Sequence, residues 1–331
     1  MVFSEAGEFF NFYRTTVSSL LDSAPIDITV SSTKVTKLKS AVIFQENLML
    51  FADNVQYVMK GGDLFTPKTV SVSASTHFSL EENVDPILIG SYVYFPFTRG
   101  EFTGVRELSL TATTETYDAV EITEHVPAYI PNNIIEITGT TSEDVIALLS
   151  NKVNTDGTNQ RNELCIYKYF WSNNQKVLSS WSKFNFTGEI RGMQFIESTL
   201  YMVMVNNNQT HLVEMPMEAG LTDDEGFNTH LDMRVKVAVT QNQINIPLPW
   251  KASTTDKVEV WTKDGAYLES TPTDLGAFAL TLSQRISEDG YVWVGIPYTM
   301  KYKFSEQIFK APAGKGSSPS DFTKLMLRNL A

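Results

Sequence analysis

The residues of this chain with chemistry to offer are few: one cysteine, four histidines and an excess of carboxylates. Cys165 lies in the run ELCIYKYF, where alternation puts it on one face of a strand. A lone cysteine makes no internal disulfide and no thiolate zinc site, and no activating neighbour is legible beside it. It reads as a small buried apolar side chain. His77, His125, His211 and His230 are scattered, with no HExxH or paired spacing, and read as strand or turn residues rather than ligands. The loop AGKGSS, Ala313 to Ser318, departs from a phosphate loop: Gly316 follows Lys315 where Ser or Thr is needed, and no helix pattern follows. There is no GxSxG elbow, so a hydrolase triad has no support. TDDEG, Thr222 to Gly226, lacks EF-hand spacing, and NTDGT, Asn154 to Thr158, lacks the Ser and Trp that flank an Asp-box. Carboxylates could pair in space as in a glycosidase, but spacing selects no pair. The expectation is no enzyme, no cofactor and no metal site.

Five tryptophans, Trp171, Trp181, Trp250, Trp261 and Trp293, lie in or beside strand-like runs. Core packing is the reading for each, because aromatic rings carry the largest apolar payload of a sheet. Stacking platforms for sugars or bases are the alternative, and the lack of interleaved Arg and Lys weakens the nucleic-acid version. The formal net charge of -12, with 26 Lys+Arg against 38 Asp+Glu, opposes tight phosphate binding. It suits a surface that must stay soluble or must not stick to a polyanion.

The elements that would position these residues are strands. Runs of Val, Ile, Phe, Tyr and Thr recur between Gly, Asn, Asp and Pro. Ala41–Gln45 and Leu48–Ala52 read as a hairpin across Glu46–Asn47, followed by Val55–Lys60 and by Thr69–Leu80. Ile87–Phe97 reads as one strand facing Gly104–Ala112 across RGEF, with Gly100 supplying a positive φ. Glu143–Ser150 fits a short helix or a strand, and the strand is preferred. Glu163–Trp171, Gln175–Phe186, GMQFIE, STLYMVMV and THLVEMPM read as one propeller-like blade, and Val35–Leu80 has a similar cadence. After AGLTDDEGFN, Ala219–Asn228, strands at Leu231–Thr240, Gln243–Leu248, Asp256–Thr262, Ala277–Leu282 and Tyr291–Pro297 suggest a small sandwich or barrel.

The expected fold is therefore all-β: β-propeller-like blades over 1–218, a linker over 219–228, a β-sandwich or barrel over 229–311, and an exposed loop with a starting strand, LMLRNLA, over 312–331. No apolar run approaches the roughly 20 residues of a spanning helix, and MVFSEAGEFF lacks a signal-peptide pattern. A membrane protein is not expected.

Several segments in order resemble one family. SEAGEFFNFY, KLKSAVIFQENLMLFADNVQYVMKGGDLFTPKTVSVSASTHFS, DPILIGSYVYFPFTRGEFTGVREL, YKYFWSNNQKVLSSWSKFNFTGEIRGMQFIESTLYMVMV and VWVGIPYTMKYKFSEQIF are similar to the tail tubular protein B family, the nozzle proteins of T7-like short-tailed bacteriophages. The resemblance spans about Ser4 to Lys310. It implies a structural virion protein, made in the host cytoplasm, that forms a homohexameric tail tube. It implies partners too: a tail adaptor above, tail fibres outside, and double-stranded DNA passing without specific binding. Family members are longer and begin upstream of SEAGEFFNFY, so it also implies a fragment, or a fold completed by a second polypeptide. The alternative is a carbohydrate-binding or carbohydrate-active β-propeller, and a third reading is a generic adhesion module.

Overall fold

β-Branched and aromatic residues at alternate positions build strands throughout, and among the described residues there is no helix. The computed structural model describes the chain except residues 15, 17, 31–35, 63, 112–115, 154–158, 174, 223–227, 252–256, 273–277, 304–307, 310–322 and 325–331. Two compact units result, Met1–Asp223 with Pro249–Lys251, and Asp224–Leu248 with Ala252–Ala331. Asn154–Thr158, Ala313–Ser318 and LMLRNLA lie outside the described residues, as does most of Thr222–Gly226.

The first unit opens with a short pair, β1 (Val2–Phe3) and β2 (Ile26–Asp27). The first of four meander sheets joins β3 (Leu38–Phe44), β4 (Asn47–Ala52), β5 (Gln56–Lys60) and β6 (Ser71–Thr76). The second joins β7 (Ile87–Ile89), β8 (Tyr92–Arg99), β9 (Phe102–Thr111) and β10 (Thr116–Glu121). The third joins β11 (Ile134–Thr140), β12 (Val145–Val153), β13 (Asn159–Ser172) and β14 (Gln175–Asn185). The fourth has three strands, β15 (Glu189–Ile196), β16 (Thr199–Asn206) and β17 (Gln209–Pro216).

Consecutive sheets share cores. Phe44, Met49, Phe51 and Val58 of the first pack on Val93, Phe95 and Leu108 of the second, with Phe51 and Phe95 edge to face at 5.4 Å. Ile89, Tyr94 and Val105 of the second meet Ile146, Leu148, Cys165 and Tyr167 of the third. From the same strand β12, Val145, Ala147 and Leu149 turn the other way onto Ile190, Phe195, Leu200 and Met202 of the fourth. Burial on both faces explains the unbroken apolar run VIALL, which carries no alternation and fits a helix as readily as a strand. The outer face of the first sheet is closed by Met1, Phe3, Ile28 and Val30.

Three expectations are corrected. Ile87–Phe97 is a hairpin, not one strand: Gly90, at φ +59°, turns β7 back onto β8. The turn after β3 is Gln45–Glu46, one residue earlier than expected, because Phe44 pairs with Asn47 and both intervening residues have positive φ. The five runs from Glu163 to Met217 are not one blade. β13 and β14 complete the third sheet behind β11 and β12, while β15–β17 pair only among themselves. Alternation marks the two faces of a strand but not its neighbours, and the break at Phe186–Gly188 separates the sheets.

The second unit contains β18 (Asp232–Val239), β19 (Asn245–Pro247), β20 (Glu259–Thr262), β21 (Tyr267–Leu268), β22 (Ser270–Pro272), β23 (Ala279–Leu282) and β24 (Gly290–Ile296). They form two antiparallel sheets, ordered β18-β24-β20-β21 and β19-β23-β22. A last pair joins Ile308–Phe309 to Thr323–Lys324.

Candidate functional site

Between the second and third sheets a charged cluster interrupts the apolar core. Lys176, at the start of β14, reaches inward to Glu107 on β9, Nζ to Oε2 2.6 Å, and both side chains are largely buried. Tyr94 Oη donates to the same carboxylate oxygen at 2.8 Å. The ammonium lies 5.0 Å from the Trp171 ring and 5.7 Å from each of Tyr167 and Tyr169, so three aromatic faces and one carboxylate surround it. Trp171 in turn stacks flat on Tyr92 at 5.7 Å. Burial, and then the nearby Glu107 carboxylate, push the Tyr94 phenol far above its ordinary range, while burial raises Tyr169 to about 12.

A carboxylate, a lysine and a phenol are acid–base groups by type, and here the lysine and the phenol both donate to the one carboxylate oxygen. Two clefts among the described residues lie elsewhere. One, of about 320 Å³, is bordered by Lys263, Arg285 and Glu288, and the other, of about 310 Å³, by Phe3, Glu8 and Phe65. Neither is lined by Glu107, Lys176, Cys165 or a histidine. The cluster acts as a tie between sheets, and its polar groups fix how the two faces register.

The residues singled out by type are not brought together. Cys165 is fully buried between the second and third sheets, and burial, with Glu163 beside it, pushes its thiol up to about 12. His77, His125 and His230 are exposed, and His211 is half-buried on β17. Among the described residues no group of three His, Cys, Asp or Glu side chains is placed to hold a metal ion.

The tryptophans divide. Trp181 packs on Tyr167 at 4.8 Å and donates from Nε1 to the Ile122 carbonyl at 3.2 Å, so it and Trp171 belong to the core between sheets. Trp250 is buried. In the second unit, cross-strand register aligns Lys236, Trp293, Trp261 and Tyr267 in one row across four strands. Trp261 and Tyr267 rings stand 5.4 Å apart, and Arg234 lies over Trp293 at 4.4 Å. Aromatics interleaved with cations are thus present locally, which corrects the expectation that Arg and Lys are not interleaved with them. Sequence spacing hid the row because its members are brought together by strand pairing, from positions 236 to 293. The Glu107–Lys176 tie escaped for the same reason.

The profile of the bacteriophage nozzle protein family matches residues 1–331. Tail tubular protein gp12 of Escherichia phage T7 is 28% identical over 347 residues, covering 99% of this chain and 43% of that protein. The chain thus spans less than half the length of this relative. Among solved structures, Hsv2p of Kluyveromyces lactis overlays at a TM-score of 0.34 with 11% identity, covering 77% of this chain and 74% of that one. Hsv2 of Kluyveromyces marxianus overlays at 0.37, also with 11% identity, covering 81% and 76%. Both overlays are too loose to assign a fold. The match over the whole sequence decides the family: the chain belongs to the bacteriophage nozzle proteins, structural proteins of the phage tail.

Proposed function

We propose that this chain is part of a homohexameric nozzle at the end of a phage tail, bounding the path along which double-stranded DNA leaves the virion. The observation that carries this reading is the family match over residues 1–331. The physical features agree with it. Four sheets in series, each packed on the next, form a mechanically continuous wall, as the blades of a propeller do. On this reading residues 1–218 supply blades and residues 229–311 an appended β domain. A net charge of -12 repels phosphates over a Debye length of about 8 Å at physiological salt, so DNA can slide without being held. A tail adaptor and tail fibres are the protein partners, and no catalytic step is part of the role.

Cryo-electron microscopy of intact tails tests the proposal. Six copies around an axial channel with a mainly acidic wall are expected. A mainly basic wall, or a position off the DNA path, would overturn it. The carbohydrate-binding reading keeps one favourable observation, the row of Trp293, Trp261 and Tyr267 on one sheet of the second unit. Glycan arrays separate the two readings: retention abolished by Trp261→Ala would favour the lectin.

A further inference from the structure

The three seams of the first unit are fastened differently. Between the first and second sheets the Arg106 guanidinium lies between two rings, 4.1 Å from the Phe78 centroid and 4.7 Å from that of Phe97. Phe51 also meets Phe95 there, edge to face. Between the second and third sheets the Lys176–Glu107 pair is enclosed by aromatic rings. Among the described residues no ring pair, cation–ring contact or ion pair joins the third sheet to the fourth. That seam is filled with thioethers instead: Met193, Met202 and Met204 are buried in it, and Met215 and Met217 pack at its margin. They face small and aliphatic side chains of the third sheet, Ala147, Leu149 and Ile166 among them. Rings and ion pairs hold one geometry, whereas the unbranched Met side chain adapts to several.

The polar ties of this seam form a ladder. β11 and β15 are the edge strands of their sheets, and their backbones do not pair. Side chains bridge them. Met193 N–H donates to Glu136 Oε1 at 3.2 Å, Phe195 N–H to Thr138 Oγ1 at 3.4 Å, and the Thr140 hydroxyl to the Glu197 carbonyl at 2.7 Å. Each partner lies 57 residues beyond the last, so alternate side chains of β11 run in step along the edge of β15. Such bonds exchange readily for bonds to water, so each shifts an opening equilibrium only a few-fold. One end of the seam is pinned. Phe186, in the short connection to β15, donates from its N–H to the Asn162 carbonyl at 2.9 Å and accepts from the Asn162 side-chain amide at 3.1 Å.

We propose that β15–β17 form a hinged leaf that opens from the third sheet as a unit about the pinned Phe186, with Glu136, Thr138 and Thr140 as its latch and the methionine face as its adaptable seat. The inference goes beyond the nozzle reading and does not depend on it, because everything it uses lies inside one seam. Local openings of this kind involve the parts of a fold with the weakest fastening, and they proceed in cooperative units such as a single sheet.

Methionine oxidation tests the leaf, since peroxide passes one oxygen atom to a thioether sulfur only where it can reach it. Met202 and Met204 are each 2% exposed, and Met49 and Met59 of the first sheet are 0% exposed, so a static fold protects all four alike. With the full-length protein in dilute hydrogen peroxide, Met202 and Met204 should be oxidised at least about tenfold faster than Met49 and Met59. Native-state hydrogen exchange on the same protein should show the β15–β17 amides sharing one opening that leaves β12 and β13 protected. Thr138→Val removes the oxygen that accepts Phe195 N–H, and should speed oxidation of Met202 and Met204 by roughly fivefold while leaving Met49 unchanged. Equal oxidation of all four methionines would overturn the proposal. So would exchange of the fourth sheet only together with the third, or a Thr138→Val effect that reaches Met49 and Met59 equally.

Discussion

The Lys176 ammonium between Glu107 and three aromatic rings shows how a charged pair can sit inside a sheet interface. Removing one member leaves the other without a partner in a poorly solvated place. Lys176→Met should therefore destabilise the protein by about 3 kcal/mol in urea denaturation, because the Glu107 carboxylate loses its countercharge. Lys176→Met combined with Glu107→Leu should recover most of that loss, since two apolar groups leave nothing to solvate. A single variant with an unchanged midpoint would mean that the carboxylate reaches water. The buried acids give a pH prediction of definite sign. Cys165 has an ordinary value of 9.0 and is raised to about 12 in the fold, and Tyr169 is raised from 10.0 to about 12. Between those limits the unfolded chain has lost protons that the folded chain keeps, so stability falls as pH rises from about 9 towards 12. Denaturation midpoints across this range should fall less steeply for Cys165→Ala than for the native chain. At this scale the sequence was partly readable. The burial of Cys165 follows from its place in ELCIYKYF, whereas the partner of Lys176 lies 69 residues away and leaves no local trace.

Strands were legible where one face is apolar and the other polar. β17, with Thr210, Leu212 and Glu214 exposed and His211, Val213 and Met215 half-buried, keeps a clear period of two. β12 loses it, because both its faces are buried. Sheet membership was not legible, since alternation names no neighbour: β14 pairs with β13 and β15 with β16, across the break at Phe186–Gly188. Turn chemistry also misled: Asn47 looked like a turn residue, but it closes the hairpin by pairing with Phe44, and Gln45 and Glu46 occupy φ +47° and +64°. Those angles suit Asn and Gly, so Gln45→Asn with Glu46→Gly should stabilise the protein by about 1 kcal/mol in chemical denaturation. A loss instead would show that the two native side chains make compensating contacts. Gly139 on β11 marks a close approach of the second and third sheets. A Cβ there would meet the Ile89 side chain and lie 2.9 Å from the Val145 carbonyl oxygen, which the strand cannot withdraw. Gly139→Ala should cost about 2 kcal/mol, read as a lowered midpoint.

Charge and apolar surface act together only in the whole molecule. Alternation labels two faces of each strand without saying which one meets solvent, so the exposure of Leu212 and Ile196 was not readable, and neither was that of Phe9 and Phe10. The net charge was readable, and it sets the sign of the last prediction. Each copy carries -12, so in the proposed ring the copies repel overall, and buried apolar area is the attraction that salt does not screen. Added salt shortens the Debye length from about 8 Å at physiological strength to about 3 Å at 1 M, which removes most of the repulsion. Apolar burial is not screened, and sulfate strengthens it. Self-association followed by sedimentation should therefore tighten as sodium chloride rises from low salt towards 1 M, and tighten further in sulfate at equal ionic strength. Contacts built on ion pairs across the interface behave in the opposite way and weaken with salt. Dissociation of the proposed assembly on adding salt would show that local charge pairing, rather than buried apolar area, holds the copies together.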